Sequence, residues 1–258
     1  MNPFALVGRL TMQLTYNAGD IVLFLLKFLA QVFRFPLYLR LYFKQCEKIG
    51  VDSLPIVLLT SFFTGGVLAL QSYNGFSNET LASSQVGSVV ALSMLRELGP
   101  VLASLMVAGR VGAAIAAEIG TMRVTEQIDA LVTLATNPFK YLVAPRLIAG
   151  ILMLPPLVAV ADIIGIFGAY LVGTQALGFN PASYLDNTFS VLEWSDVISG
   201  LVKAAIFGFL IALMGAYHGF QSQGGAQGVG KATTNAVVSA AVLILIANYI
   251  TTAVFFQE

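Results

Sequence analysis

The stretch "LSMLRELGPVL" sets Arg96 and Glu97 near the middle of an otherwise apolar run, where each charge costs roughly 2.5 to 3.5 kcal/mol on insertion scales. Neighbouring residues point about 100° apart on a helix, so the two side chains do not satisfy one another along one face and each needs a partner elsewhere. Two kinds of chemistry suit such a pair. One is a polar, partly wet cavity that accepts a substrate headgroup or rearranges during transport, the default for ionisable groups inside a membrane. The other is an interhelical ion pair that only fixes packing. Pro100 removes a backbone hydrogen bond and favours a kink, a candidate hinge, beside the charges. Lys203 is a further intramembrane cation, with a stem long enough to snorkel outward. In "LALQSYNGF", at the end of the preceding apolar run, Gln71 and Tyr73 are polar, although an interfacial tyrosine is more often an anchor than a ligand contact.

Other chemistries are excluded or weak. Residues 225–232 read "GAQGVGKA" and fit G-x-x-x-x-G-K, but Ala232 stands where a magnesium-binding Ser or Thr is needed, and the segment joins two membrane spans instead of a strand to a helix. A flexible cytoplasmic turn is expected there. The single histidine, His218, has no Cys or carboxylate at ligand or triad spacing, so neither a catalytic centre nor a metal site is read; it is expected at the cytoplasmic interface. The single cysteine, Cys46, permits no intrachain disulfide and no cysteine-based metal cluster, and reads as a structural thiol.

The elements that position these residues follow from composition. The chain has 258 residues, 57% hydrophobic and 10% charged, against about 25% charged in a soluble domain, so it is an integral membrane protein of all-α class, read as a single transmembrane domain over 1–258. Net charge is zero, and no run of Lys and Arg interleaves with aromatics, so nucleic acid is not a partner. Runs near the roughly 20 residues that cross a bilayer fall at 53–73, 86–107, 147–171, 197–217 and 236–256. A shorter apolar piece at 21–33 carries Lys27 and leads into "RFPLYLRLYFK". It predicts an interfacial or half-inserted helix within an N-terminal region, 1–50, ahead of a five-span core, 51–258. The start, "MNPFALVGRL", shows no basic region before an apolar core and no cleavage site, so no removable signal peptide is expected.

Lys and Arg lie before the first run (six), between the second and third (four), and between the fourth and fifth (Lys231), with none in the alternate loops 74–85 and 172–196. The positive-inside rule makes the basic loops and the N-terminus cytoplasmic and places the C-terminus on the far side. Small residues repeat every fourth position at Gly165, Ala169, Gly173 and at Gly200, Ala204, Gly208, Ala212, Ala216. Such stripes let helices approach closely, within one subunit or between two.

Between the second and third runs lies a polar island. Thr125 suits an N-cap, Glu126 and Asp129 suit the positive end of a helix dipole, and Ile128, Leu131, Val132 and Ala135 repeat on one face until "NP" at 137–138 stops the helix. A helix near 125–136 spans only about half the bilayer and must lie flat on the cytoplasmic side. Lipid-binding surface helices carry Lys and Arg on the polar face; here stand Glu126, Gln127 and Asp129, which fits docking into a cytoplasmic protein.

"LRELGPVLASLMVAGRVGAAIAAEIGTMRVTEQIDAL", continued by "NPFKYLVAPR", resembles the MlaE-type permeases of bacterial ABC transporters that move phospholipids between inner and outer membranes. The likeness covers nearly the whole chain and is densest over 92–146. It implies a homodimeric permease in the inner membrane of a Gram-negative bacterium, supporting outer-membrane lipid asymmetry. The short helix would be a coupling helix seated in cytoplasmic ATPase subunits, with Arg123, Thr125, Glu126, Gln127 and Asp129 in the contact. A lipid cavity lined by the first two spans would include Leu68, Leu70, Gln71, Tyr73, Arg96 and Glu97. The same resemblance implies a periplasmic MCE-domain hexamer and a small STAS-domain protein on the ATPase as partners, with ATP and magnesium held by the ATPase and no cofactor on this chain. The rival is a stand-alone carrier or channel running Arg96, Glu97 and Lys203 as a relay. The docking helix and the lack of repeated halves with matching broken spans argue against it, and an intramembrane enzyme lacks a nucleophile and base.

Overall fold

A computed structural model of the chain describes residues 3–32 and 38–256, and among these there are helices and no strand. The helices are α1 (Pro3–Val32), α2 (Leu39–Ile49), α3 (Leu54–Gly75), α4 (Glu79–Ser93), α5 (Gly99–Val107), α6 (Ala113–Val124), α7 (Gln127–Thr133), α8 (Ala144–Leu171), α9 (Pro181–Ser190), α10 (Trp194–Phe220) and α11 (Gly225–Phe256). Five stretches are long and apolar enough to cross a membrane: Leu39–Gly75, Thr80–Val124, Phe139–Ala176, Trp194–Phe220 and Gly225–Phe255. They match the five apolar runs in order, and we number them spans one to five. All are longer than those runs, because helical hydrogen bonding continues past the hydrocarbon into polar turns. Span two, 45 residues, is roughly 67 Å long at 1.5 Å per residue, about twice a bilayer core.

The N-terminal expectation is corrected in its bounds. Instead of a short helix confined to 21–33, α1 is 30 residues long, since residues 3–20 carry no proline after Pro3 to stop it even though they lack an apolar run. Position 33 and all of "RFPL", 34–37, fall outside the described residues. The end of α1 is tied to the bundle by Phe24, whose ring lies 5.0 Å from Phe139 and 5.7 Å from Tyr217, while Leu23, Leu26 and Leu29 stay exposed.

Lipid gives little hydrophobic drive between helices, so close packing holds the bundle together. The small-residue stripes do this within one chain. A Cβ at Gly65 of α3 would run into the Gly165 carbonyl of α8, and one at Gly208 of α10 would run into the Gly150 carbonyl of α8. A Cβ at Gly200 would come within 2.6 Å of the Leu95 carbonyl, while Ala204, Ala212 and Ala216 are buried. Span four is thereby clamped between spans two and three. Cys46 is a free thiol packed against the main core.

The glycine-rich segment differs from the expected flexible turn, because residues 225–232 are the opening turns of α11. The turn itself is Gly224 and Gly225, with φ of +82° and +68°, a region that suits glycine. A Cβ at Gly228 would strike the backbone of Gln223. These glycines serve chain reversal.

Candidate functional site

Span two is broken at its charges. Between α4 and α5 the backbone makes a π-turn over Met94–Leu98, closed by the Gly99 N–H donating to the Met94 carbonyl. Pro100 follows and has no N–H for the carbonyl four residues back, that of Arg96. Lys203 of span four fills the gap: its Nζ donates to the Arg96 carbonyl at 2.6 Å, to Glu97 Oε1 at 2.8 Å and to Thr252 Oγ1 at 2.8 Å. The ammonium's three donors thus all have acceptors, and Lys203 is fully buried, without snorkelling outward. The second Glu97 oxygen accepts from Asn248 Nδ2 at 2.7 Å. Arg96 turns to a different helix end, where its Nε donates to Asp196 Oδ1 at 2.6 Å. Asp196 also takes part, with Glu193, in the capping box that starts α10.

The interhelical partners that Arg96 and Glu97 require are therefore Asp196 and Lys203. Asp196, Asn248 and Thr252 went unread in the sequence, although two signals were present. "EWSD" has the Glu193 and Asp196 spacing of a capping box, and Asn248 and Thr252 stand four apart, on one face, in an apolar span.

Beside this break lies an open groove of about 460 Å³ between spans one and two, lined by Phe63, Thr64, Val67, Leu68, Gln71 and Leu98. The structure brings Leu68 and Gln71 together there. Leu70 is exposed but outside that lining. Tyr73 packs its ring 5.8 Å from Phe179 in the smaller of the two hydrophobic cores. Arg96 and Glu97 sit just before Leu98, with the bonds above directed to spans four and five.

The polar island forms a helix shorter than 125–136, and its cap differs. Thr125 Oγ1 donates back to the Thr121 carbonyl at 2.7 Å, extending the last turn of α6. The cap of α7 is Glu126, in the left-handed region at φ 61°, with no side-chain cap bond. At the other end the Thr136 N–H donates to the Leu131 carbonyl at 2.9 Å and the Ala135 N–H to Val132 at 3.0 Å. That is a Schellman closure with Ala135, φ 57°, where glycine is usual. Ile128 is buried against the core, whereas Val132 and Leu134 are exposed. Arg123 Nη1 binds Asp129 Oδ1 at 2.8 Å, Gln127 Nε2 donates to Thr125 Oγ1 at 3.0 Å, and Glu126 is exposed. The five residues thus surround one left-handed bend between α6 and α7. His218, at the end of span four, shares a hydrogen bond of 2.9 Å between Nε2 and Ser239 Oγ of span five.

A five-span helical bundle, a broken second span locked to its neighbours, an open groove beside the break and a short helix between spans two and three define a multi-pass membrane permease. The chain belongs to the MlaE permease family, whose description, Permease MlaE, matches residues 42–254. It is 56% identical to a probable ABC transporter permease protein of Rickettsia felis, over 97% of this chain and 96% of that one. It is 42% identical to a probable ABC transporter permease protein of Synechocystis, over 83% and 81%. It is also 39% identical to the intermembrane phospholipid transport system permease protein MlaE of Haemophilus influenzae, over 83% and 82%.

Proposed function

We propose that this protein is the permease subunit of an ATP-driven phospholipid transporter, working between inner and outer membranes and supporting outer-membrane lipid asymmetry. The observation that carries the reading is the 39% identity to a permease named for intermembrane phospholipid transport, extending over most of both chains. The groove between spans one and two supports it, being mostly apolar with Thr64 and Gln71 among its lining. In this reading the subunit pairs as a homodimer in the inner membrane of a Gram-negative bacterium, N-terminus cytoplasmic and C-terminus periplasmic. Leu68, Leu70, Gln71, Tyr73, Arg96 and Glu97 border the lipid path. Arg123, Thr125, Glu126, Gln127 and Asp129 meet the ATPase, which holds ATP and magnesium while this chain needs no cofactor. An MCE-domain hexamer meets the periplasmic side, and a STAS-domain protein joins through the ATPase.

Two variants test the halves of the proposal separately. Glu126→Lys with Asp129→Lys reverses the charge of the exposed α7 face, and the ATPase is expected to be lost from the purified permease while the permease stays monodisperse; undiminished ATPase would place the docking elsewhere. Gln71→Glu puts a negative charge, repulsive to a phosphodiester, on the groove lining and is expected to lower co-purified phospholipid at least several-fold, and an unchanged lipid load would remove the groove from the path.

A further inference from the structure

A second recess, of about 220 Å³, lies where α2 meets the later part of span two, and its charged lining is Lys48, Asp52, Arg110 and Glu118. Lys48 Nζ lies 2.6 Å from Glu118 Oε1 and Arg110 Nη2 lies 3.3 Å from Asp52 Oδ2. Arg110 Nη1 also donates to Ser53 Oγ at 2.7 Å and to the Lys48 carbonyl at 3.1 Å. Behind the recess, buried Arg146 of span three donates to the other Glu118 oxygen at 2.8 Å. Lys48 and Arg110 face Asp52 and Glu118, and because Glu118 is shared with Arg146 behind the wall, the cluster of three cations and two carboxylates has one positive charge over, the charge that a singly ionised phosphodiester would balance. Lys48 and Arg110 keep side-chain exposures of 42% and 36%, so both reach a ligand without unfolding. Depth points the same way: Asp52 immediately precedes the apolar run 53–73, and Arg110 stands three residues after the run 86–107. Hydrocarbon gives way to headgroups at that level. The volume is below the roughly 300 Å³ at which pockets for whole drug-sized ligands begin, so a headgroup fits while acyl chains stay in the bilayer.

We propose that this recess binds the phosphate ester of an inner-leaflet phospholipid headgroup through Lys48 and Arg110, as a site separate from the groove between spans one and two. The inference rests on the phospholipid-transport reading and its membrane orientation.

The test places a photoreactive benzophenone side chain at Gln45, beside the recess, or at Val67, in the groove, of the full-length protein in cells grown on ³²P-phosphate. After irradiation and denaturing purification, both positions are expected to carry radiolabel. Arg110→Gln is expected to reduce labelling at Gln45 at least five-fold and to leave Val67 labelled, which also reports that the variant is folded. Arg110→Lys is expected to restore the Gln45 signal, and Lys48→Gln replaces Arg110→Gln should the latter fail to fold. Label at Val67 alone in the wild-type background would overturn the recess site and leave the transport reading standing, whereas label at neither position would count against both. Undiminished Gln45 label in Arg110→Gln would overturn the assignment of the guanidinium. Inorganic phosphate has no C–H bond for the probe to attack, so it is tested by thermal shift. Stabilisation by inorganic phosphate equal to that by dihexanoyl phosphatidylglycerol would assign the recess to a free oxyanion and overturn the lipid site.

Discussion

Lys203 and Glu97 show how a membrane-embedded charge is kept. Removing one partner of a buried pair leaves the other uncompensated, at about 3 to 5 kcal/mol, while replacing both costs little. Glu97 retains partial access, with a side-chain exposure of 38%, so Lys203→Met is expected to destabilise by about 3 kcal/mol, the low end of that range. The double variant Lys203→Met with Glu97→Gln is expected to recover most of the loss. Thermal unfolding in detergent reads both, and a double variant as unstable as the single one would show that the knot does not act as a pair. Asn248→Leu removes one hydrogen bond to the carboxylate and is expected to cost about 1.5 kcal/mol. Sequence made the need for partners legible, because two charges in an apolar run must be answered. It did not name them, since Asp196 stands 100 positions from Arg96, and Lys203 106 from Glu97; no local pattern spans that distance.

Among the elements, the five spans were readable because hydropathy and length alone require them, and Pro100 marked the break in span two. The form of that break, a π-turn whose loose carbonyl is taken by Lys203, depended on a contact from span four. Hydropathy also underreported α1, whose first half lacks an apolar run, and capping and periodicity overextended the short helix, whose ends are set by backbone conformation at Glu126 and Ala135. Ala135 holds a left-handed φ that costs an L-residue roughly 1 kcal/mol, so Ala135→Gly is expected to stabilise the end of α7 by about 0.5 to 1 kcal/mol. Slower amide exchange at 134–137 would show it; faster exchange would mean that the closure is not at equilibrium as described. Gly65→Leu is expected to push α3 from α8, since even a Cβ there would meet the Gly165 backbone, and to abolish a monodisperse peak in size-exclusion chromatography. A normal peak would mean that the glycine crossing is not required.

For the whole molecule, span two joins four places along its length. Span two carries the groove wall at Leu98, the charge knot at Arg96 and Glu97, the second recess at Arg110 and Glu118, and then α7 beyond its end. In the proposed transport reading, a push on α7 would be delivered to the helix that borders both cavities. The family and the short helix were legible in the dense motif over 92–146. The split of the cavity residues was not, since Leu68 and Gln71 face the groove while Tyr73 turns into the smaller core. The most direct measurement is to purify the tagged chain from its native membrane in mild detergent and identify accompanying proteins and lipids by mass spectrometry. An ATPase recovered with stoichiometric phospholipid is the predicted result; a lone chain that turns over substrate without any ATPase would contradict the account.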